Sequence, residues 1–282
     1  CAAAVQSRRL GLDVILIDTC GKAGGLIHEA RLIENYPGLE KPLAGPAFAD
    51  RLISILSAND LTIRHFHADS IVLSGGVFEI FGNGESIRSQ SVIVAVGTVP
   101  KEFSIEVNGD VTIHRSILEL TRQPPERTII VGGGEAAVDY ALNLSDRGSS
   151  VSLLVRGSRL KASGKLRDEI EKHEAVKIIY NTVPVSASSL EGITRLEVES
   201  SGRKMFPEAD AVLAAVGREP GLPRVADGFD HDRGNVRTSI HGLYISGDAS
   251  LGSLGQAAIA SGQGTLAALY TFEFLKAGSS KS

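Results

Sequence analysis

The sequence predicts an α/β fold in which one Rossmann-like architecture, a parallel sheet with crossover helices, occurs twice. Three observations carry this. Short, largely apolar runs recur at 14–17, 92–96, 128–131, 151–155 and 211–216, the pattern of strands buried on both faces. Near the middle, a strand, a glycine loop, a helix and a second strand follow within about 30 residues, the size of a parallel crossover. The segment 92–100, VIVAVGTVP, is nearly duplicated at 212–220, VLAAVGREP, so the chain repeats one architecture.

Taken in order, 2–10 is a helix of small residues stopped by Gly11. The run 14–17 is a strand leading to Asp18, and a Gly- and Pro-rich stretch follows over 21–45. Residues 46–58 form a helix with Phe48, Leu52, Ile55 and Leu56 on one face. Strands at 61–66, 69–74 and 77–81 come next, with Gly75-Gly76 as a hairpin turn, then a buried strand over 90–96 ending at Gly97. The stretch 121–127, TRQPPER, reads as a connector. Beyond it lie a strand at 128–131, the loop Gly132-Gly133-Gly134, a helix over 135–147 closed by Gly148, and a strand at 151–155. Strands at 176–180, 183–187, 193–199 and 211–216 follow, the last ending at Gly217. A short strand at 243–246 precedes Gly247-Asp248, a long helix covers 256–276, and 278–282 is a frayed tail.

The middle loop carries the most specific chemistry. Gly132 to Ala137, GGGEAA, fits G-x-G-x-x-A. In that pattern Gly132 makes a tight turn, Gly134 lets backbone approach a pyrophosphate, and Ala137 lets the helix pack closely on the strand. The phosphate then sits at the helix N-terminus beside Glu135 and Ala136, where free N–H groups and the helix dipole favour an anion. The flanking strand and helix are the context that separates a Rossmann-like dinucleotide loop from a plain tight turn. An NAD site usually places Asp or Glu at the end of the next strand, for the ribose 2′-OH. Here that place reads RGSRLK, with Arg156, Arg159 and Lys161; between 156 and 167 there are five basic residues and no acid. Guanidinium groups suit a 2′-phosphate, so NADPH is favoured over NADH. A solvated basic helix start is the alternative, above all for Lys165 and Arg167.

Composition narrows the class. The 282 residues carry a net charge of -4; the middle segment 113–219 has 15 basic and 15 acidic residues, and the outer segments 14 and 18. Neither part has the basic excess of a nucleic-acid binder. No apolar run approaches the roughly 18 residues of a membrane span. Two Cys build neither a disulfide framework nor a four-Cys zinc site, which makes a cytoplasmic, reducing setting the expectation.

Seven short segments, in this order, resemble the thioredoxin-reductase-like flavoproteins of the pyridine nucleotide-disulfide oxidoreductase family. They are Gly24-Gly25-Leu26, ENYPG at 34–38, VGTVP at 96–100, the Gly132 loop, VGREP at 216–220, Gly247-Asp248-Ala249 and Gln256-Ala257-Ala258. The resemblance runs over almost all of 1–276. It implies a discontinuous FAD-binding domain, 1–112 plus 220–282, with an NAD(P)-binding domain at 113–219 that includes Gly217. It also implies a homodimer and an inserted domain that rotates about crossings near 113 and 219. Asp18 would bind the adenosine ribose of FAD; Gly24, Gly25, Asn35 and Gly97 would line the cofactor. Gly247, Asp248 and the Ala249 N–H would meet its ribityl and pyrophosphate region, and Gln256 the polar edge of the flavin. Ordinary turns for the glycines and a helix cap for Gln256 are the alternatives.

Two departures from the family pattern bear on mechanism. The family's first strand and FAD loop should precede the helix at Ala2. Cys1 stands where the residue after that loop would be, so roughly 15 residues are expected ahead of it, judged by strand and loop length. As it stands, the chain is expected to hold FAD weakly or not at all; a protein that has lost its FAD loop is the alternative. Second, the dithiol C-x-x-C of thioredoxin reductases, just ahead of the second glycine loop, is replaced by VTIHRSI at 111–117, and no Cys follows position 20. Cys20 is expected as a small packed residue. His114 falls in the region of the lost pair and is a candidate proton donor, with a surface or hinge His as the alternative. His65 and His67 alternate on a strand, a pattern more common in half-exposed strands than in metal sites. The expected function is hydride transfer from NADPH to FAD and on to an external acceptor, a redox protein or small molecule, without dithiol exchange. The competing class is a non-catalytic relative that has lost FAD.

Overall fold

The structure, a computed structural model, describes residues 1–162 and 164–279. The chain divides into two compact units. The first comprises Cys1–His28, Leu32–Val99 and the chain from Arg218 onward; the second comprises Glu29–Arg31 and Pro100–Gly217.

In the first unit two parallel pairs carry the ends that matter: Leu16–Asp18 beside Ile63–His65, and Val92–Val94 beside Leu243–Ile245. Each strand is shorter than its apolar run. Ile15 and Val96, expected inside strands buried on both faces, are exposed, because each lies outside the paired residues. An antiparallel meander, Ser70–Ser74, Val77–Gly82 and Glu85–Ser89, packs Ile71, Phe78, Ile80 and Ile87 against Val94, Leu243 and Ile245. Its third strand was missed in the sequence, although Asn83-Gly84 announces it. Both residues take positive φ, 50° and 77°, as a two-residue hairpin turn requires. The helix Ala2–Arg9 packs on the long helix Ala257–Ser279. A Cβ on Gly264 would lie 3.1 Å from the Ala3 nitrogen, so small residues on both helices set this close approach. The long helix includes the first two residues of the tail expected to fray; 280–282 lie outside the described residues.

The second unit is a parallel sheet of five strands. Their spatial order is Val176–Ile179, Ser150–Leu154, Arg127–Val131, Ala211–Ala214, Ile113–His114. Side chains alternate between its faces. Ile130, Leu153 and Leu213 are buried with the helix Glu135–Asp146, through Val138 and Leu142. Ile129, Leu154 and Val212 are buried with Ala187, Leu196 and Val198 of a second sheet, formed chiefly by Thr182–Leu190 and Ile193–Ser200. Each fully buried aliphatic side chain contributes about 1.5–3 kcal/mol.

The chain enters the main body of this unit between Val99 and Pro100, well before 113. Three contacts explain the difference. Glu106–Asn108 pairs with Ser186–Ser188, Phe103, Ile105 and Val111 pack on the second unit's core, and Arg115 donates to the carbonyls of Lys101 (2.7 Å) and Phe103 (3.2 Å). The second crossing, between Gly217 and Arg218, falls beside the expected 219. The inclusion of Glu29–Arg31 had no sequence signal. Glu29 is buried, accepting hydrogen bonds from Ser116 Oγ (2.7 Å) and from the Tyr140 hydroxyl.

Candidate dinucleotide sites

In the second unit the strand Arg127–Val131 runs into Gly132-Gly133-Gly134 and then into the helix Glu135–Asp146. The three glycines do different things. Gly132 has φ +152°, and a Cβ there would lie 2.3 Å from the Ala215 oxygen and 3.0 Å from Ala137 Cβ. This is the close strand-to-helix approach that Ala137, fully buried, allows. A Cβ on Gly133 would meet Val155 at 2.7 Å. A Cβ on Gly134 would meet nothing within 4 Å. Gly134 caps the helix with no side-chain hydrogen bond, so no side chain of the cap satisfies the orphan N–H groups of the first turn. Glu135 and Ala136 are exposed beside it.

The basic turn is tied to this loop. The Lys161 N–H donates to the Gly133 carbonyl at 2.7 Å, and the Asn181 N–H to the Gly157 carbonyl at 3.0 Å. Leu160 and Ala162 are buried, while Arg156, Arg159 and Lys161 are exposed. None of these three forms an ion pair among the described residues. Gly134 and this turn stand at the carboxyl ends of neighbouring parallel strands, and Gly134 follows the strand at which strand order reverses, where open α/β sheets bind ligands. Cradle, orphan donors and unpaired cations fit a phosphorylated pyridine nucleotide. Gly217 (φ +118°) follows the next strand, and its carbonyl accepts the Lys101 N–H at 3.0 Å.

His114 lies within this unit, on the edge strand. Its Nδ1 bonds Glu119 Oε2 at 2.7 Å, and the other oxygen of Glu119 accepts the Ser116 N–H at 3.3 Å. The imidazole thus ties the edge strand to the short helix Leu118–Thr121. This is the structural use of the residue.

In the first unit the strand Leu243–Ile245 leads through Ser246 to Gly247 (φ +72°) and the turn of helix Asp248–Leu251. The Asp248 carboxyl lies against Gly255, where a Cβ would be 2.3 Å from Oδ1. Burial raises its pKa, and the Arg218 charge opposes the rise. Arg218, not anticipated as part of this site, is aimed by Thr98, which accepts from Nε (2.9 Å) at Oγ1 and from Nη2 (2.7 Å) at its carbonyl. Asn35 and Gln256, far apart in sequence, are brought together: Asn35 Nδ2 donates to Gln256 Oε1 at 2.7 Å. Gln256 is the cap of the long helix, its carbonyl accepting the Ala260 N–H. Both side chains are exposed.

The remaining predicted residues divide. Asp18 ends its strand, and its Oδ1 accepts the N–H groups of Cys20 (2.7 Å) and Lys22 (3.3 Å), shaping the turn that follows. Cys20 is exposed in that turn, contrary to the packed position expected, because Asp18 holds it through backbone alone. Gly24 packs tightly: a Cβ would lie 2.8 Å from Ala49 Cβ and 2.9 Å from the His28 ring. A Cβ on Gly25 or Gly97 would meet nothing within 4 Å. Ala249 is buried in the Asp248 turn. The acceptor carboxylates at two strand ends, the polar Asn35–Gln256 pair and the open glycines fit a large cofactor with hydroxyls, phosphates and a polar ring edge, as FAD is. His65 and His67 are both exposed, on either side of buried Phe66.

Comparison with known proteins agrees with this fold. A profile of the pyridine nucleotide-disulphide oxidoreductase family matches residues 1–264. The thioredoxin reductase of Rickettsia felis is 26% identical to this chain, over 97% of it and 94% of its relative. The crystal structure of T. acidophilum thioredoxin reductase is 26% identical, with a TM-score of 0.85 over 96% of this chain and 93% of that one. The thioredoxin reductase of Lactococcus lactis, at 22% identity, shares the fold with a TM-score of 0.86 over 98% and 95%. The chain belongs to the pyridine nucleotide-disulphide oxidoreductase family and is a thioredoxin-reductase-like, FAD-dependent NAD(P)H oxidoreductase.

Proposed function

We propose that this protein passes reducing equivalents from NADPH, through FAD, to an acceptor outside the chain, without a dithiol of its own. The observation that carries the last clause is the segment ahead of the second glycine loop. It holds no Cys, and its His114 is committed to Glu119. The two cysteines present, Cys1 and Cys20, belong to the first unit, at the start of a helix and in the turn after Asp18.

The flavin, when bound, accepts hydride and releases electrons; the protein binds, orients and tunes. Gly134 and the helix start behind it hold the pyrophosphate of the pyridine nucleotide. Arg156, Arg159 and Lys161 hold the 2′-phosphate, which selects NADPH. Asp18 takes the FAD ribose hydroxyls. Asp248 and the Ala249 N–H take the ribityl and pyrophosphate region, with Gly24, Gly25 and Gly97 in the wall. Asn35 fixes the Gln256 amide, whose remaining N–H groups are left to meet the polar edge of the flavin. The acceptor is a redox protein, in line with the names of the relatives, or a small molecule; the protein works in the cytoplasm as a homodimer.

The test is made on purified full-length protein. Anaerobic NADPH should bleach its bound flavin, and ferricyanide or a quinone should reoxidise it. Alkylation of cysteines should leave this turnover unchanged. NADPH-dependent reduction of thioredoxin that alkylation abolishes would refute the proposal.

A further inference from the structure

The long helix Ala257–Ser279 is apolar on nearly every side, with Ala267 and Ala268 fully buried, yet it buries Gln263 as well, at 8% exposure. A buried amide costs free energy unless both of its ends are hydrogen-bonded. Here both ends are. Gln263 Oε1 accepts the Gly247 N–H at 2.8 Å, and Nε2 donates to the Gly234 carbonyl at 2.9 Å. Gly247, with φ +72° and ψ -151°, has a backbone shape that other residues rarely adopt, and it immediately precedes Asp248. Gly234 belongs to a loop laced to the same turn. Its N–H donates to the Ser250 carbonyl (3.1 Å), Ser250 Oγ donates to the Asn235 carbonyl (2.8 Å), and Arg233 Nε donates to the Leu251 carbonyl (2.9 Å). The Gln263 amide is the crosspiece of this ring, joining a helix, a loop and the Gly247–Asp248 turn.

We propose that Gln263 is a positioning residue for the flavin: its buried amide, bonded to Gly247 on one side and Gly234 on the other, sets the turn that presents Asp248 and the Ala249 N–H. This rests on the assignment of that turn to FAD. Only an amide suits both partners at neutral pH. Leucine offers neither bond. A glutamate carboxylate accepts from Gly247 but cannot donate to Gly234, whereas its protonated form can do both.

The experiment measures FAD affinity, by quenching of flavin fluorescence, in apo-protein prepared from the full-length wild type and its Gln263→Leu and Gln263→Glu variants, from pH 5 to pH 8. The expected result is a loss of about 10-fold or more for Gln263→Leu. NADP affinity in the second unit, which the residue does not touch, should be unchanged. Gln263→Glu should bind weakly at pH 8 and recover toward wild type as its carboxyl protonates. Asp248, His231, Asp232 and Arg233, the titratable and charged side chains on the turn and loop around the amide, are common to all three proteins, so the wild-type curve removes their contribution. A merely structural role would lower thermal stability and leave FAD affinity and its pH profile alike in all three. Wild-type affinity in both variants at every pH overturns the proposal. Wild-type protein that binds no FAD overturns both the proposal and the assignment beneath it.

Discussion

Replacing Asp139 with Asn removes a charge that the second unit holds at a cost. Asp139 lies on the helix Glu135–Asp146, and its Oδ2 accepts the Arg31 N–H at 2.8 Å. Burial pushes its carboxyl up to about 6 from 3.8, against the pull of that N–H and of the Arg31 charge. At 1.4 kcal/mol per pH unit, the ionised side chain costs the folded state about 3 kcal/mol relative to an ordinary carboxyl. The direction follows from linkage. Because the folded value is raised, the favourable contribution is complete below the unfolded value near 4 and is lost as pH rises through about 6. Asn keeps an acceptor for the Arg31 N–H and does not titrate. The stability of Asp139→Asn minus that of wild type should therefore climb by up to about 3 kcal/mol between pH 4 and pH 7.5, with its midpoint in the rise of the Asp139 titration. Urea unfolding followed by far-UV circular dichroism at five pH values gives the difference curve directly. A flat curve, or one that falls with pH, would show that Asp139 is not held neutral by burial.

The glycine loop separates fold from binding. Gly134→Ala places its methyl in open space, so stability should drop by only about 0.5–1 kcal/mol, the usual loss at a helix cap, while NADPH affinity falls 10- to 100-fold in a fluorescence titration. Gly132→Ala, driven into the Ala215 oxygen, should instead lose about 1–3 kcal/mol of stability in urea unfolding. Charge removal at Arg156, Arg159 and Lys161 together should raise the KM for NADPH at least tenfold, about 1.4 kcal/mol, and leave that for NADH within about twofold; equal loss for both nucleotides would refute the 2′-phosphate assignment. Gly255→Ala should push the Asp248 carboxyl aside and release FAD during gel filtration, with NADP affinity preserved.

What was legible in the sequence was what neighbours in the chain decide. The loop at Gly132 and the turn at Gly247 announce themselves because a strand, a special backbone angle and a helix start fall within a dozen residues. The hairpin at Asn83-Gly84 was equally local and should have been read, since this dipeptide is the strongest short hairpin signal. The crossing at Pro100 was not legible. It depends on Glu106–Asn108 finding Ser186–Ser188 and on Arg115 reaching back to Lys101 and Phe103. Arg218 and Gln263 escaped for the same reason. One lies in a repeated strand end and the other in a largely apolar helix, and only the fold supplies Thr98 and Gly247 as their partners. Burial shows a similar limit. Apolar runs over 14–17 and 92–96 imply strands covered on both faces, but pairing covers only three residues of each strand, and Ile15 and Val96 are left exposed.

The two strand–turn–helix ends are built alike, each with an acid as the first helical residue, Glu135 and Asp248, and what surrounds that acid decides what each can hold. At Gly134 no side chain caps the helix, Glu135 is exposed to solvent, and Arg156, Arg159 and Lys161 stand exposed on the turn tied to the loop. A phosphate there gains from the orphan N–H groups and from the cations together. At Gly247 the first helical residue is Asp248, partly buried, with Arg218 held by Thr98 as its opposing charge. A carboxylate is an acceptor only, so it repels a phosphate and welcomes a hydroxyl. A hydroxyl donating to Asp248 would favour its ionised form, which burial alone disfavours. The Asp248 turn therefore suits the sugar-alcohol part of a dinucleotide, with the phosphates meeting neighbouring backbone, whereas the Gly134 turn suits the phosphates themselves. The same Rossmann-type ending thus suits two dinucleotide parts by partly burying its first-turn acid in the first unit and by exposing that acid, beside three cations, in the second.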